Sequence, residues 1–245
     1  MSIQIAGKSK VVIVVEANAT ELNTRQMISA LKQAIASTHH HSVTVEVITN
    51  QLFTGFNGDL IESVVAKDVI ICPLTLNLPA NLNFAADAVY QACRDVPHLR
   101  QRVAQELGYW VGDGYLWLPV VLTAKGPLYG EAIQVSDLRK EKISNQLILS
   151  SCSYDQPFHI SDAKRQQLYQ LGKSVLQLLS ATPATYLIQF GFQDTEICFD
   201  RLFPFPAAPA IASLGVQEPD LFACHWRCLI NQPITDLTII STALT

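Results

Sequence analysis

The sequence predicts an α/β protein, with a βαβ layer over residues 1–107 and then an α+β core of antiparallel strands and packed helices over residues 108–245. Three observations predict it. The run KVVIVVE (residues 10–16) is continuously apolar and β-branched, as a strand covered on both faces of a parallel sheet is. SVTVEVIT (residues 42–49) alternates polar and apolar residues, and an amphipathic stretch separates the two runs. Far downstream, two aromatic and β-branched runs, 184–192 and 195–202, pivot on Gln193-Asp194 between helical segments.

Composition supports a folded chain. With 245 residues, 49% of them hydrophobic and 16% charged, it can bury a sizeable core and does not have the make-up of a disordered protein. Mean hydropathy is +0.22. No run reaches the roughly 20 apolar residues of a spanning helix. The start MSIQIAGKSK lacks the apolar stretch of a secretory signal, so a cytoplasmic location is expected. A net charge of −4 gives nucleic acid and acidic membrane surfaces no electrostatic attraction, so neither is an expected partner. The small cluster Arg139, Lys140 and Lys142 reads as a solvated turn. The cysteines are Cys72, Cys93, Cys152, Cys198, Cys224 and Cys228, mostly in apolar contexts and expected to be reduced. Cys224 and Cys228 flank His225 at helical spacing, but a structural zinc needs a second pair of ligands, and none exists.

Taken in order, residues 10–16 form the first strand. Asn23, with Gln26 three residues on, has the spacing of a capping box, and Met27, Ile28, Leu31 and Ile35 make one stripe of a helix over 24–37. The run His39, His40 and His41 reads as a solvated loop at that helix end. Residues 42–49 and 68–74 supply two more strands, and Phe84–Arg94 and Pro97–Leu107 two helices, the second closed by Gly108. YWVGDG (109–114) is a turn-rich boundary. Strands are expected at 115–123 and 129–135 around Lys125-Gly126-Pro127, a charged loop at 136–144, and a strand at 145–153. Ser161 caps a long helix ending at Ser180, with Leu168, Leu171, Val175, Leu178 and Leu179 buried. From Leu202 to Thr245 only Glu218, Asp220, Arg227 and Asp236 are charged, so this tail either packs into the core or covers a partner.

Common catalytic signatures are missing. EANATELN after the first strand has no glycine for a G-x-G-x-x-G turn, and Gly55-Phe56-Asn57-Gly58 is not followed by G-K-[ST]. Ser150-Ser151-Cys152 has no glycine elbow, and His159 has no orienting acid.

The order helix 161–180, strand 184–192, strand 195–202, proline loop (Pro204, Pro206, Pro209) and helix 219–230 resembles the end of an ATP-grasp catalytic core. Within that family it is similar to the N5-carboxyaminoimidazole ribonucleotide synthases, the ATP-dependent subunits of phosphoribosylaminoimidazole carboxylase. Phe222, His225, Arg227 and Pro233 match their closing F-E-Q-H-L-R-A-V-L-G-L-P-L segment in register. The resemblance covers residues 115–240 and implies an ATP-grasp-like core. It also exposes departures. Gln189 stands where a V-E-F-F strand supplies a metal-holding glutamate. With the prolines of N-E-x-x-P-R-P-H-N-S-G-H set on Pro204 and Pro206, Asp200 falls at the asparagine and Arg201 at the glutamate. Phe205, Ala207, Ala208 and Ile211 then replace the arginine and the polar tail of the motif. Magnesium needs hard carboxylate oxygens, so no metal ligand and no cofactor is expected. Leu118–Thr123 aligns either with the P-V-V-L-K strand of the nucleotide lid or, with the lid deleted, with a strand of the core.

These readings predict a non-catalytic protein that acts by binding a protein partner, a second copy of itself through the apolar C-terminal region, or a small ligand. The alternative is an ATP-dependent carboxylate–amine ligase-like enzyme with a rearranged site. A ligand-binding regulator predicts a concave pocket near Arg201 and His225. The candidate ligand-binding residues are Gln189, Asp200, Arg201, His225 and Arg227, with no catalytic residue assigned. Asp200 and Arg201, as strand neighbours, are expected on opposite faces, and Arg227 is expected to pair with Asp200, Glu218 or Asp220.

Overall fold

The computed structural model describes residues 10–16, 21–38, 43–50, 69–78, 82, 84–143 and 146–240, with side chains described outside 137–143 and 146–152. The histidine run at 39–41 and the turn at 55–58 lie outside the described residues. Three parallel strands, β1 (Lys10–Val15), β2 (Thr44–Thr49) and β3 (Val69–Pro73), form a sheet in the order β2-β1-β3. The central strand is the continuously apolar one, and Val11–Val15 are buried, as a strand with neighbours on both edges and cover on both faces requires. Helix α1 (Leu22–Thr38) buries Met27, Ala30, Leu31, Ala34 and Ile35. It starts at Leu22, so Asn23 lies in the first helical turn and not at the cap.

Helices α2 (Asp87–Arg94) and α3 (Val96–Leu107) follow. Asp95 caps α3 by accepting the His98 N–H at 3.1 Å, Pro97 sits in the first turn, and Gly108 ends the helix at φ 73°. Val89, Cys93, Leu99 and Val103 share a core with Leu116, Phe190 and Phe199, so this pair of helices packs on the second, larger sheet.

That sheet contains β4 (Trp110–Val111), β5 (Leu116–Thr123), β6 (Gly126–Tyr129), β7 (Ala132–Ile143), β8 (Gln146–Phe158), β9 (Ala184–Gln193) and β10 (Glu196–Phe203). The order is β4-β10-β9-β5-β7-β8, with β6 added on β5. The expected loop at 136–144 is instead strand: antiparallel pairing with β8 continues from Asp137 opposite Ser153 to Ile143 opposite Gln146. Backbone hydrogen bonds to a partner strand outweigh the low β-propensity of charged residues there. Strand β5, which contains Leu118–Thr123, lies between β9 and β7. Only residues 108–115 separate α3 from β5.

One face of the large sheet is covered by α3 and by α4 (Asp162–Leu178). On the other lie α5 (Leu221–Leu229), the 3-10 turn Ala208–Ser213 and the N-terminal layer. Phe205, Leu221, Phe222, Trp226 and Ile234 are buried in this second cluster, so the apolar C-terminal region packs into the chain's own core. Trp226 Nε1 donates to Thr38 Oγ1 at 2.6 Å, tying α5 to the end of α1. Asp220 caps α5 by accepting from Phe222 and Ala223 N–H at 2.8 and 2.9 Å. Cys72, Cys93, Cys198, Cys224 and Cys228 are free and buried. Among the described residues no helix is long and apolar enough to cross a membrane.

Candidate functional site

Strands β9 and β10 pair in regular antiparallel register until Phe199 opposite Phe190; the next pair is Arg201 opposite Gln189. Asp200 is the extra residue of a β-bulge. The bulge breaks strict alternation, and this corrects the expectation that Asp200 and Arg201 face opposite ways: Arg201 Nε donates to Asp200 Oδ1 at 3.0 Å. The Asp200 side chain is 3% exposed and that of Arg201 is 41% exposed.

Asp200 is held from three sides. Arg100 of α3 bonds Oδ1 through Nη2 at 2.5 Å and the Asp200 carbonyl through Nε at 3.0 Å, while the Gly114 N–H donates to Oδ2 at 2.8 Å. Burial opposes ionisation of this carboxyl, but the Gly114 N–H and the two guanidinium groups outweigh it and hold it below its ordinary range. Arg100 Nη2 also reaches the exposed Asp113 at 3.0 Å. Burial disfavours its charge, and the bonds to the two carboxylates more than compensate, raising it.

The segment Gly112–Tyr115 can lie this close only because Gly114 has no side chain. A Cβ there would sit 2.7 Å from the Phe190 backbone. Close approach brings the Gly114 N–H to Asp200 and its carbonyl to Gln189, whose Nε2 donates to it at 2.6 Å. Cross-strand pairing sets Trp117 of β5 opposite Gln189, and Gln189 opposite Arg201, so the three form a row across the sheet. Trp117 packs edge-on against Tyr154 at 5.5 Å, and its buried Nε1 has no acceptor among the described residues.

These residues do not fit a magnesium ion. Both Asp200 oxygens are committed to cationic or backbone donors, Gln189 offers a neutral amide, and two guanidinium groups occupy the space beside the carboxylate. Among the described residues no group of three or more His, Cys, Asp or Glu is arranged to hold a metal.

His225 and Arg227 are not part of this cluster's bonding. His225 is a core residue of α5: Nδ1 accepts the Thr185 N–H of β9 at 3.3 Å, and Nε2 is buried without a partner among the described residues. Burial pushes its pKa down to about 3, so the ring is neutral. Among the described residues Arg227 Nε is buried with no hydrogen-bond partner, and of the expected partners Asp220 feels its charge without a direct ion pair. A groove of about 440 Å³ lies away from Arg201 and His225, lined by Trp110, Gln166, Gln167, Gln170 and Glu196 among others. Sequence reading missed Arg100, Asp113, Gly114 and Trp117. The G-D-G of residues 112–114 was the available signal, since closely spaced glycines mark close backbone approach.

No protein-family profile matches the chain. Among curated proteins it is 30% identical over 92 residues to a formate-dependent phosphoribosylglycinamide formyltransferase of Synechococcus sp. (strain CC9902), a match covering 38% of this chain and 23% of that protein. The chain thus spans about a quarter of the length of that relative. Among solved structures it superposes on glycinamide-RNase-transformylase T from Mycobacterium tuberculosis with a TM-score of 0.67 at 15% identity, covering 95% of this chain and 82% of that one. N5-carboxyaminoimidazole ribonucleotide synthetase from Thermotoga maritima gives 0.65 at 11% identity, covering 93% and 77%. The Aspergillus clavatus N5-carboxyaminoimidazole synthase, solved with ADP and 5-aminoimidazole ribonucleotide, gives 0.60 at 12%, covering 94% and 78%. The fold is that of the ATP-grasp proteins, as the resemblance over residues 115–240 implied.

These comparisons correct the expectation of a non-catalytic protein. The proteins this chain is similar to are enzymes, and they favour the ligase-like alternative. That expectation equated the loss of two carboxylates with the loss of chemistry. The positions hold instead an ionised, half-open cluster anchored on two central strands.

Proposed function

We propose that this protein is an ATP-dependent carboxylate–amine ligase-like enzyme with a rearranged site. The reaction class consumes ATP, a small carboxylate such as formate or bicarbonate, and an amine on a phosphoribosyl compound; it yields the N-acylated amine, ADP and phosphate. The observation that carries this reading is the 30% identity over 92 residues to a formyltransferase whose name states both formate and an amine acceptor. Fold likeness over nearly the whole chain supports it. So does the Trp117–Gln189–Arg201 row, in which Gln189 and Arg201 stand at the positions where the resemblance has metal-holding glutamates.

In this reading Gln189, Arg201 and the Asp200 clamp hold an anionic substrate group, and His225 and Arg227 support α5 behind them. The test is ADP release with ATP, formate or bicarbonate, and glycinamide ribonucleotide or 5-aminoimidazole ribonucleotide. ADP formation that requires both the acid and the amine is expected; ADP release at the rate of buffer alone with every pair overturns the reading. We place the protein in a reducing cytoplasm, supported by its free, buried cysteines. Association of the C-terminal region with a partner protein or a second copy is supported by exposed Leu214 and Ile240. Light scattering on the purified chain tests self-association.

A further inference from the structure

We propose that the β9–β10 bulge is an oxyanion site in which Arg201 itself receives a phosphate or carboxylate group, without a divalent cation between them. The inference deepens the ligase-like reading and rests on it only for which anion is the natural one.

The argument starts from the bonding of Arg201. A guanidinium has five N–H donors, and Arg201 uses the one on Nε to reach Asp200 at 3.0 Å. Its terminal nitrogens make no hydrogen bond among the described residues, while the side chain remains 41% exposed. The bond to Asp200 fixes the plane of the fork, so the two terminal nitrogens point away from the clamp as a preorganised pair. That edge matches two oxygens of a carboxylate or phosphate.

The local charges balance: Arg100 pairs with both Asp200 and the exposed Asp113, and Arg201 pairs with Asp200. Arg201 is the cation with open donors, since among the described residues it meets a carboxylate through Nε alone. A metal cannot share this place, because every oxygen of Asp200 already accepts a bond and a second cation would meet two guanidinium groups.

Trp117 adds an independent observation. It is 8% exposed, and its Nε1 is a buried donor with no acceptor among the described residues. It stands across from Gln189, which stands across from Arg201, so the unmatched donor belongs to the same row. A buried N–H without a partner is costly unless an acceptor arrives. Two strand spacings, about 10 Å, separate Trp117 from Arg201, so an extended anion such as a polyphosphate lying along the row supplies one.

The test is isothermal titration of the full chain with sodium tripolyphosphate and, separately, sodium formate, in EDTA and then in magnesium, comparing wild type with Arg201→Met and Arg201→Lys. Binding of at least one anion in EDTA is expected, unchanged by magnesium. Arg201→Met should weaken it by about 10- to 100-fold, as loss of a charge-assisted pair does, and Arg201→Lys by less. Far-UV circular dichroism of each variant should match wild type, with at most a small drop in unfolding midpoint for Arg201→Met, since Arg100 and the Gly114 N–H still hold Asp200. Tripolyphosphate binding assigns the site to the nucleotide, and formate binding to the acid. Binding only with magnesium, binding indifferent to Arg201→Met, or no binding of either anion overturns the proposal. ADP release measured alongside separates the two ideas. Anion binding on Arg201 with no turnover sinks the ligase-like reading alone, and magnesium-dependent turnover insensitive to Arg201→Met sinks this one alone.

Discussion

The bulge at Asp200 and the α5–β9 contact at His225 both place a titratable side chain in a nearly dry setting, at 2% exposure each, yet they are opposite solutions to burial. Asp200 remains charged because three donors converge on it. His225 gives up its charge because a single backbone N–H meets it and nothing else polar does. A buried charge needs several partners, whereas a buried neutral ring needs few. The first arrangement is costly to assemble unless the charge has a use, and the second is ordinary core packing. Similar residue types in the sequence therefore carry different meanings.

Breaking the charged arrangement should have the largest effect. Asp200→Ala leaves Arg201 without its counter-ion and Arg100 with only the exposed Asp113. Arg201 is partly solvated, so the expected cost in urea unfolding is at the low end for a broken buried pair, about 3 kcal/mol. A loss under about 1 kcal/mol would mean that solvent reaches the clamp. Gly114→Ala comes next. Its new Cβ meets the Phe190 backbone at 2.7 Å, so the 112–115 segment must lift away. We expect about 1–3 kcal/mol of destabilisation, with anion binding weakened because Gln189 and Asp200 lose their backbone partner. Full stability in this variant would show that the segment is not clamped.

Acid sharpens the contrast, because the two groups respond in different windows. The pKa of His225 falls from 6.5 when unfolded to about 3 when folded. Below pH 6.5 the unfolded chain takes up a proton that the native chain refuses, so stability falls as pH drops through this range. The slope is about 1.4 kcal/mol per pH unit. His225→Gln should flatten that part of a stability-against-pH curve; an unchanged curve would mean that the ring is protonated in the fold. Asp200 is depressed from 3.8, so its contribution is fully present above that value and is lost only as pH falls further. The smallest effect is expected at the junction of the two sheets. Thr38→Val removes the acceptor of the Trp226 indole and should cost about 1 kcal/mol by thermal unfolding.

Much of the architecture was legible from periodicity. KVVIVVE, the alternating strand after α1 and the helices of the two layers lie where their patterns put them, because local hydrophobic spacing dictates which face is buried. The β9–β10 turn falls one residue later, at Asp194-Thr195, and α4 buries Leu176 where Leu178 and Leu179 were expected. The charged β7 residues were misread since their strand identity comes from pairing with β8, a non-local cause. The site was half legible. Gln189, Asp200 and Arg201 could be picked out, but strand alternation put Asp200 and Arg201 on opposite faces, and only a bulge brings them together. Arg100 lies 100 positions from Asp200, and no pattern within a helix or strand encodes that meeting.

The buried cysteines have a consequence for kinetics. Burial raises the Cys72, Cys93 and Cys228 thiols to about 12 and that of Cys224 higher still. The thiolate is the reactive species, so these groups are silent towards alkylating reagents until the surrounding structure opens. Cys72 reports on the N-terminal parallel sheet, Cys93 on the helices against the large sheet, and Cys224 and Cys228 on α5. Pulse alkylation read peptide by peptide would therefore time the opening of each layer separately, with native sulfur atoms as the clocks.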